Sequence, residues 1–261
     1  MFSTEPRCHY HKNMLGEVIC QLRFPQILTI ETSIPAQFQE AIRSVFPVYS
    51  CRKETAAPKL VGIPGKMQLE PQQPSNNYQF ASPDGVWRVN LTSTFISLAC
   101  NRYTCWEDFA KMLDRPLAAF IQIYRPAYFE RVGLRYLNFI SRQQLGLENL
   151  SFRELFLPQY LGLLSDEQIA DSAATRSTVD AEVAIRGGCR AKIHAGPGFV
   201  KRQGQDSKEV HFIFDQDLFL SGKIAVNLSA GALETLHSQA YSIFRGAITD
   251  TLHEAMEPDT K

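Results

Sequence analysis

The segment that most constrains the fold is the sequence RVGLRYLN, which begins at Arg131. In an extended conformation, alternation places Arg131 and Arg135 on one side and the apolar side chains of Val132 and Leu134 on the other. A strand with this pattern buries one face and carries two cations on the second face. We therefore predict a long strand at residues 128–140, inside a sheet that is covered on one side.

The composition describes a chain that can bury a large core. Of its 261 residues, 44% are apolar, which suits one large domain or two small ones. The 27 basic and 27 acidic side chains give a formal net charge of zero. The whole-molecule field therefore gives no general attraction to nucleic acid or to an anionic membrane, and any such binding requires a local patch.

Targeting signals and cysteine usage bear on the compartment. The sequence has no run of about 18 apolar residues that could span a bilayer, and its first residues lack the apolar region of a secretory signal. Six scattered cysteines in a chain of this size fit a reducing compartment with unpaired thiols. We expect a cytoplasmic protein without a membrane partner, in which Cys20 and Cys100 are small core side chains.

Hydrophobic periodicity divides the first half into strands and helices. The predicted elements are a strand at 17–24, a helix at 34–46, mostly loop at 48–74 with a short strand at 66–70, strands at 78–81 and 86–99, and a helix at 105–124. The sequence SPDG at 82–85 suits the tight turn of a hairpin. Pro116 predicts a kink in the last helix, or its division into two helices.

The second half follows a similar order. After the strand at 128–140, the predicted elements are short helices at 152–164, an exposed polar stretch at 165–174, strands at 177–185 and 189–195 around a Gly187-Gly188 reversal, a break at 196–198, a hairpin tip at 201–208, a strand at 210–220, and one long helix that includes residues 233–252. This helix presents an apolar stripe, which requires a surface to cover.

The order of elements predicts the fold class. Residues 1–16 form an N-terminal segment, and residues 17–127 and 128–261 each give the order β-α-β-β-β-α. Two such units most easily form one continuous α+β structure with a broad, mainly antiparallel sheet and long helices packed on one face. The opposite face of the sheet is then the natural binding surface.

Four pieces of the sequence resemble a family of sporadically distributed bacterial proteins of uncharacterised function and about this length. They are the E-x(5)-RF pattern at 17–24, RVGLRYLN, which matches RxGLRYxN, the acidic pair of FDQD at 214–217, and the final helix through Phe244 and the ITD of 248–250. The resemblance covers nearly the whole chain. Met14-Leu15-Gly16 replace the family's usual proline and isoleucine, which makes this chain a divergent example. The resemblance carries no activity over to it.

The two arginines of the central strand require partners, because an isolated half-buried guanidinium would cost several kcal/mol. The candidate acids are Glu17, Glu130, Asp215 and Asp217. A structural ion-pair network is one interpretation of Arg131 and Arg135. The functional alternative is an anion pocket for phosphate or carboxylate, which uses the planar fork of arginine.

The spacing of Asp215 and Asp217 places both carboxylates on one side of a strand. Such a pair can hold a divalent metal if a third oxygen ligand converges, and Glu17 is the candidate. The structural alternative is that the pair satisfies backbone amides or Arg135. The metal interpretation leads to one alternative function, a metal-dependent enzyme that acts on a phosphate-bearing ligand.

Basic residues cluster in the predicted hairpins of the second half. With Phe199 among them, they could hold a nucleic-acid backbone while the aromatic ring stacks on a base. The structural alternative is a solvated hairpin rim. The candidates are Arg186, Arg190, Lys192, Lys201 and Arg202.

Catalytic and cofactor motifs are absent from the sequence. There is no G-x-S-x-G, no P-loop, no G-x-G-x-x-G and no H-E-x-x-H, and His237 on the last helix is interpreted as a packed or surface residue. We therefore expect a non-catalytic binding protein without a cofactor. Its expected partner is another protein, in a bacterial defence, toxin-neutralising or mobile-element setting, with nucleic-acid binding and metal-dependent catalysis as the alternatives.

Overall fold

The computed structural model describes residues 2–55, 59–63, 66–70, 74–174, 176–202 and 205–259, with the backbone alone at 59–63, 66–70, 201–202 and 205–208. The described strands are β1 (Leu15–Arg23), β2 (Val48–Glu54), β3 (Lys59–Ile63), β4 (Lys66–Glu70), β5 (Ser75–Ala81), β6 (Trp87–Leu91), β7 (Phe95–Cys100), β8 (Phe129–Ile140), β9 (Val179–Ala184), β10 (Arg190–Arg202) and β11 (Gln205–Ile224). The α-helices are α1 (Leu28–Thr32), α2 (Ala36–Ile42), α3 (Trp106–Tyr124), α4 (Arg142–Leu145), α5 (Ser229–Arg245) and α6 (Asp250–Ala255).

One large antiparallel sheet contains nine of these strands, in the order β2-β5-β6-β7-β1-β8-β11-β10-β9, and β3 and β4 form a separate hairpin. The strand that carries RVGLRYLN, β8, lies near the centre of the sheet between β1 and β11. Because β1 pairs with β8, the sheet continues from the first half of the chain into the second. The predicted α+β class and the broad antiparallel sheet are confirmed, and the repetition of the two halves stays a prediction.

Alternation along the central strands separates a buried face from a polar face. Val18, Cys20 and Leu22 of β1 are fully buried, as are Val132 and Leu134 of β8. Cys100, the second thiol predicted to lie in the core, is also buried. The apolar positions read from the sequence of these two strands are therefore confirmed.

Helices α3 and α5 contact the buried side of the sheet. The ring of Phe120 in α3 lies 4.6 Å from that of Phe24, which follows β1. In α5, the ring of Phe244 lies 5.8 Å from that of Phe214 in β11. No helix in the described ranges is long and apolar enough to cross a membrane.

The hairpin at 82–85 is confirmed, because the Gly85 N–H donates to the Ser82 carbonyl at 3.0 Å and Gly85 has a φ of 70°. The single strand predicted at 86–99 is wrong. It divides into β6 and β7 at Thr92, whose hydroxyl accepts hydrogen bonds from the N–H groups of Thr94 and Phe95. A side-chain oxygen that bonds nearby backbone favours a turn, even inside an apolar run.

The loop predicted at 48–74 is also wrong in part, although the short strand at 66–70 is confirmed as β4. Most of the stretch forms β2, β3 and β4. Strand β2 pairs only with β5, and all its residues are exposed. An edge strand without a buried side leaves no alternating pattern in its sequence.

The break predicted at 196–198 does not occur, since β10 continues through it in register with β11. A side chain at Gly196 would collide with the backbone carbonyl of Ser177, so this glycine permits close approach of a neighbouring chain. Strand β9 reaches only to Ala195, and Pro197 therefore lies where one side of β10 has no partner. The predicted tip at 201–208 is largely strand, and residues 203–204 lie outside the described residues.

The long C-terminal helix is two helices. Between α5 and α6, the chain leaves the helical path and pairs with the segment near Phe156: the Leu157 N–H donates to the Ala247 carbonyl, and the Thr249 N–H donates to the Leu155 carbonyl, both at 2.9 Å. Pro116, in contrast, does not divide α3. The helix at 34–46 shortens to α2, and the short helices at 152–164 are confirmed as 3₁₀ turns.

Candidate functional site

The polar side of the sheet carries a band of alternating charges, here called the charged face. It crosses four adjacent strands, β9, β10, β11 and β8, whose facing residues are set by the register. Its members are Asp180, Glu182, Arg190, Lys192, His194, Asp215, Asp217, Arg131 and Arg135. The structure therefore brings the predicted arginines, the predicted aspartates and two of the predicted basic residues onto one surface.

Arg131 forms the more enclosed of the two arginine pairs. Its Nη2 lies 2.6 and 2.7 Å from the two carboxylate oxygens of Asp217, and its guanidinium lies 4.6 Å from the ring centroid of Phe219. The Arg131 side chain is only 18% exposed. It passes over Gly133, where an added Cβ would lie 2.7 Å from its Cζ. The glycine of RVGLRYLN therefore makes room for the preceding arginine.

Arg135 forms the more open pair. Its Nε donates to Asp215 at 2.7 Å and its Nη2 donates to the second oxygen of the same carboxylate. These hydrogen bonds raise the pKa of the guanidinium above its ordinary value. Arg135 is 45% exposed and lines a shallow concavity of about 420 Å³ together with Lys192 and His194. Both arginines are thus bound to acids, and Arg135 also faces a concavity.

Glu17 does not reach this pair. Its carboxylate lies 3.4 Å from Arg88 of β6, on the other side of β1. Asp215 and Asp217 each face a guanidinium. Among the described residues, no three His, Cys, Asp or Glu side chains lie in a group that could hold a metal ion.

The basic residues proposed for nucleic-acid binding are interleaved with acids. Arg190 and Lys192 lie 2.8 and 3.6 Å from the carboxylate of Glu182. Beside them, His194 lies 2.6 Å from Asp180. Arg186 is exposed in the turn before β10, and the side chains of Lys201 and Arg202 lie outside the described part of the chain.

A second site, on the buried side of the sheet, was not predicted from the sequence. His237 of α5 is buried, and its Nδ1 lies 2.6 Å from the hydroxyl of Tyr136 in β8. Arg7 of the N-terminal segment hydrogen-bonds its Nε2 and also pairs with Glu107 at 2.6 Å. The indole of Trp106 stacks on the imidazole at 4.6 Å. Of the two interpretations given for His237, a packed or a surface residue, the structure shows the packed one, and its partners come from three distant parts of the chain.

The contacts of His237 fix its tautomer. A guanidinium only donates hydrogen bonds, so Nε2 accepts from Arg7 and the neutral ring carries its proton on Nδ1. Burial, together with the charge of Arg7, lowers the pKa of His237 to about 4. The imidazole is therefore neutral at physiological pH and donates to Tyr136. Burial also raises the pKa of Tyr136, which keeps its hydroxyl protonated.

The side chains around His237 border a cavity of about 100 Å³, here called the polar cavity. Its walls come from β8, β11, α3, α5 and the N-terminal segment. Tyr10 closes one side, where its hydroxyl lies 2.8 Å from His253 Nδ1. Gln216 of β11 lies in the floor, at a position where alternation with Phe214 and Leu218 predicts an apolar residue. Asn138, on the apolar side of β8, also lines the cavity, and these two exceptions were the sequence signals that could have revealed it.

Comparisons with known proteins do not identify a function for this chain. Neither a family model nor a curated protein matches the chain. The resemblance to sporadically distributed bacterial proteins therefore stays a prediction.

Proposed function

We propose that this chain is a non-catalytic cytoplasmic binding protein whose charged face recognises another protein. The observation that carries the proposal is the arrangement of both signs of charge across four strands of an uncovered sheet face. A partner that presents the complementary pattern of charges would bind such a face faster and in a defined orientation. The bacterial defence, toxin-neutralising or mobile-element setting expected from the resemblance is part of the same proposal.

The balance of charge favours a protein partner over a nucleic acid. A phosphate backbone presents a single sign of charge and is bound by cations that neutralise it. On the charged face, Arg190 and Lys192 share the carboxylate of Glu182, and Asp215 and Asp217 face Arg135 and Arg131. A polynucleotide would meet these acids along with the bases, whereas a protein surface can match both signs.

The form of the charged face supports the same conclusion. Arg131 and Asp217 are held by each other and by the ring of Phe219, so this part of the face is fixed before a partner arrives. Arg190 and Lys192 are about half exposed and remain free to exchange Glu182 for a partner's carboxylate. A polar, solvent-accessible rim of this kind is typical of protein interfaces.

We also propose that the two halves are related units. From the central β1–β8 pair, the strands run outward as β1-β7-β6-β5 in the first half and as β8-β11-β10-β9 in the second. A long helix follows β7 in the first half and β11 in the second. The matching order supports the predicted repetition.

The test compares three tagged proteins expressed in the native host at its own gene dosage. They are the wild type, the double variant R190E/K192E on the charged face, and the matched control R43E/K111E. The control makes the same charge change at two exposed residues of the covered side, one directly after α2 and one in α3. We expect a partner protein to co-purify with the wild type and the control and to be lost from R190E/K192E.

Two results would contradict the proposal. The first is a partner retained equally by all three proteins. The second is elution of all three as free monomers under gentle conditions. Nucleic acid that co-purifies with the wild type and is released by moderate salt would instead support the nucleic-acid alternative.

A further inference from the structure

The polar cavity lies on the side of the sheet opposite to the charged face, and its chemistry is separate from the proposed interaction. Tyr136 and Gln216, which line it, alternate along β8 and β11 with Arg135 and Asp217 of the charged face. Trp106 and His237 form a stacked pair in its wall, and Tyr103 meets Tyr136 edge to face at 5.9 Å. Aromatic rings thus form part of the cavity wall.

One hydrogen-bond acceptor in the cavity has no partner among the described residues. Gln216 is 2% exposed, and its Oε1 makes no hydrogen bond within the described part of the chain. A buried carbonyl oxygen without a hydrogen bond costs about 1–3 kcal/mol. Such a cost is retained where the group serves a ligand or an ordered water.

Tyr136 is the cross-strand neighbour of this glutamine. Gln216 and Tyr136 are register partners across β11 and β8, which places their side chains next to each other. The Tyr136 hydroxyl accepts from the Nδ1–H of His237 and also hydrogen-bonds the side chain of Tyr103, so its hydrogen bonds are already made within the protein. The cavity therefore offers a ligand the acceptor Gln216 Oε1.

The surrounding groups select for a neutral ligand. The charge of Arg7 is already balanced by Glu107, and His237 and the tyrosines are uncharged at physiological pH. An ionic ligand would lose its hydration without gaining a free counter-charge. A neutral molecule with a flat ring loses little and gains contact with the aromatic walls.

We propose that the polar cavity binds a small, neutral, planar group that carries an N–H donor, such as a primary amide or an azole ring. The N–H donates to Gln216 Oε1. A cavity of about 100 Å³ is somewhat smaller than one of about 150 Å³ that holds benzene, and it therefore suits roughly five non-hydrogen atoms. The group is either the whole ligand or the end of a larger one.

The probes for the test are pyrazole and isoxazole, two flat five-membered rings that differ in the N–H donor. Ligand-observed NMR saturation transfer measures the affinity of each for the full chain. We expect wild-type protein to bind pyrazole at least about tenfold more tightly than isoxazole, since loss of the hydrogen bond leaves Gln216 unsatisfied. Gln216→Leu should lose that preference.

A second variant keeps the test valid if Gln216→Leu does not fold. Ala240 is buried in α5 and lines the cavity, so Ala240→Met fills the space without removing a polar group. It should abolish binding of both probes, and circular dichroism confirms that each variant is folded. Equal binding of the two rings, unchanged pyrazole affinity in Gln216→Leu, or no pyrazole binding by the wild type up to its solubility would overturn the proposal.

Discussion

Acidification should destabilise this protein through His237. The pKa of this histidine falls from 6.5 to about 4 on folding, because burial and the charge of Arg7 disfavour the imidazolium. Below pH 6.5, His237 therefore binds a proton in the unfolded chain but stays neutral in the folded chain. The free energy of unfolding consequently falls as the pH decreases toward 4. The loss attributable to His237 between pH 8 and pH 5 is about 2 kcal/mol. That is a large part of the total stability of an ordinary domain.

Urea unfolding of the wild type and of His237→Gln at a series of pH values measures this loss. Glutamine can still accept from Arg7 and donate to Tyr136, but it does not titrate. We expect the variant's free energy of unfolding to fall about 2 kcal/mol less than that of the wild type between pH 8 and pH 5. His194→Gln, on the exposed charged face, is the matched control and should follow the wild type because it retains His237. Parallel curves for the wild type and His237→Gln would refute the argument.

Three further predictions concern stability measured by urea unfolding at neutral pH. Asp217→Asn should lower the free energy of unfolding by about 1–3 kcal/mol, because it weakens the enclosed ion pair with Arg131. Glu182→Gln, in an exposed ion pair, should lower it by at most about 1 kcal/mol. Equal losses in the two variants would contradict this ranking. Gln216→Leu should raise the free energy of unfolding by about 1 kcal/mol, since it removes an unsatisfied buried oxygen, and a loss of stability would show that the amide has a partner. Gly196→Ala should lower the free energy of unfolding by about 3 kcal/mol or more, because the methyl group meets the neighbouring backbone. Gly85→Ala, in an open turn, should lower it by about 1 kcal/mol. A mild effect at Gly196 would contradict the close approach of the two chain segments.

The two faces of β8 could be predicted because they depend only on the alternation of neighbouring residues in the sequence. Alternation assigned Arg131 and Arg135 to the polar side of β8, and the cost of a half-buried guanidinium then required acids nearby. Two of the four candidate acids, Asp215 and Asp217, are the observed partners. Glu17 could not be excluded in advance, because its pairing with Arg88 depends on the order of strands β6, β7 and β1 in the sheet.

The errors came from interactions between distant parts of the chain. Residues 247–249 carry a helical pattern, yet they pair with the segment around Phe156 and end α5. The GPG sequence at 196–198 is usually a break, but here it continues a strand because the chain at Ser177 packs against Gly196. Neither partner can be read from sequence spacing.

The polar cavity was missed for the same reason. Arg7, Trp106, Tyr136 and His237 meet only in the folded chain, where the N-terminal segment packs against α5. Each of these residues has an ordinary local interpretation in its own element. Gln216 and Asn138 depart from their local patterns, as polar residues on the apolar sides of β11 and β8.

Binding of a partner protein by the charged face is tested most directly by carboxylate footprinting of the chain alone and in its co-purified complex. Carbodiimide labelling followed by mass spectrometry reports the accessibility of individual acids. Asp180 and Glu182, exposed on the charged face, should lose most of their labelling in the complex, while Glu40 and Glu254 on the helical side should be unchanged. Protection of Glu40 or Glu254 with undiminished labelling of Asp180 and Glu182 would contradict binding by the charged face.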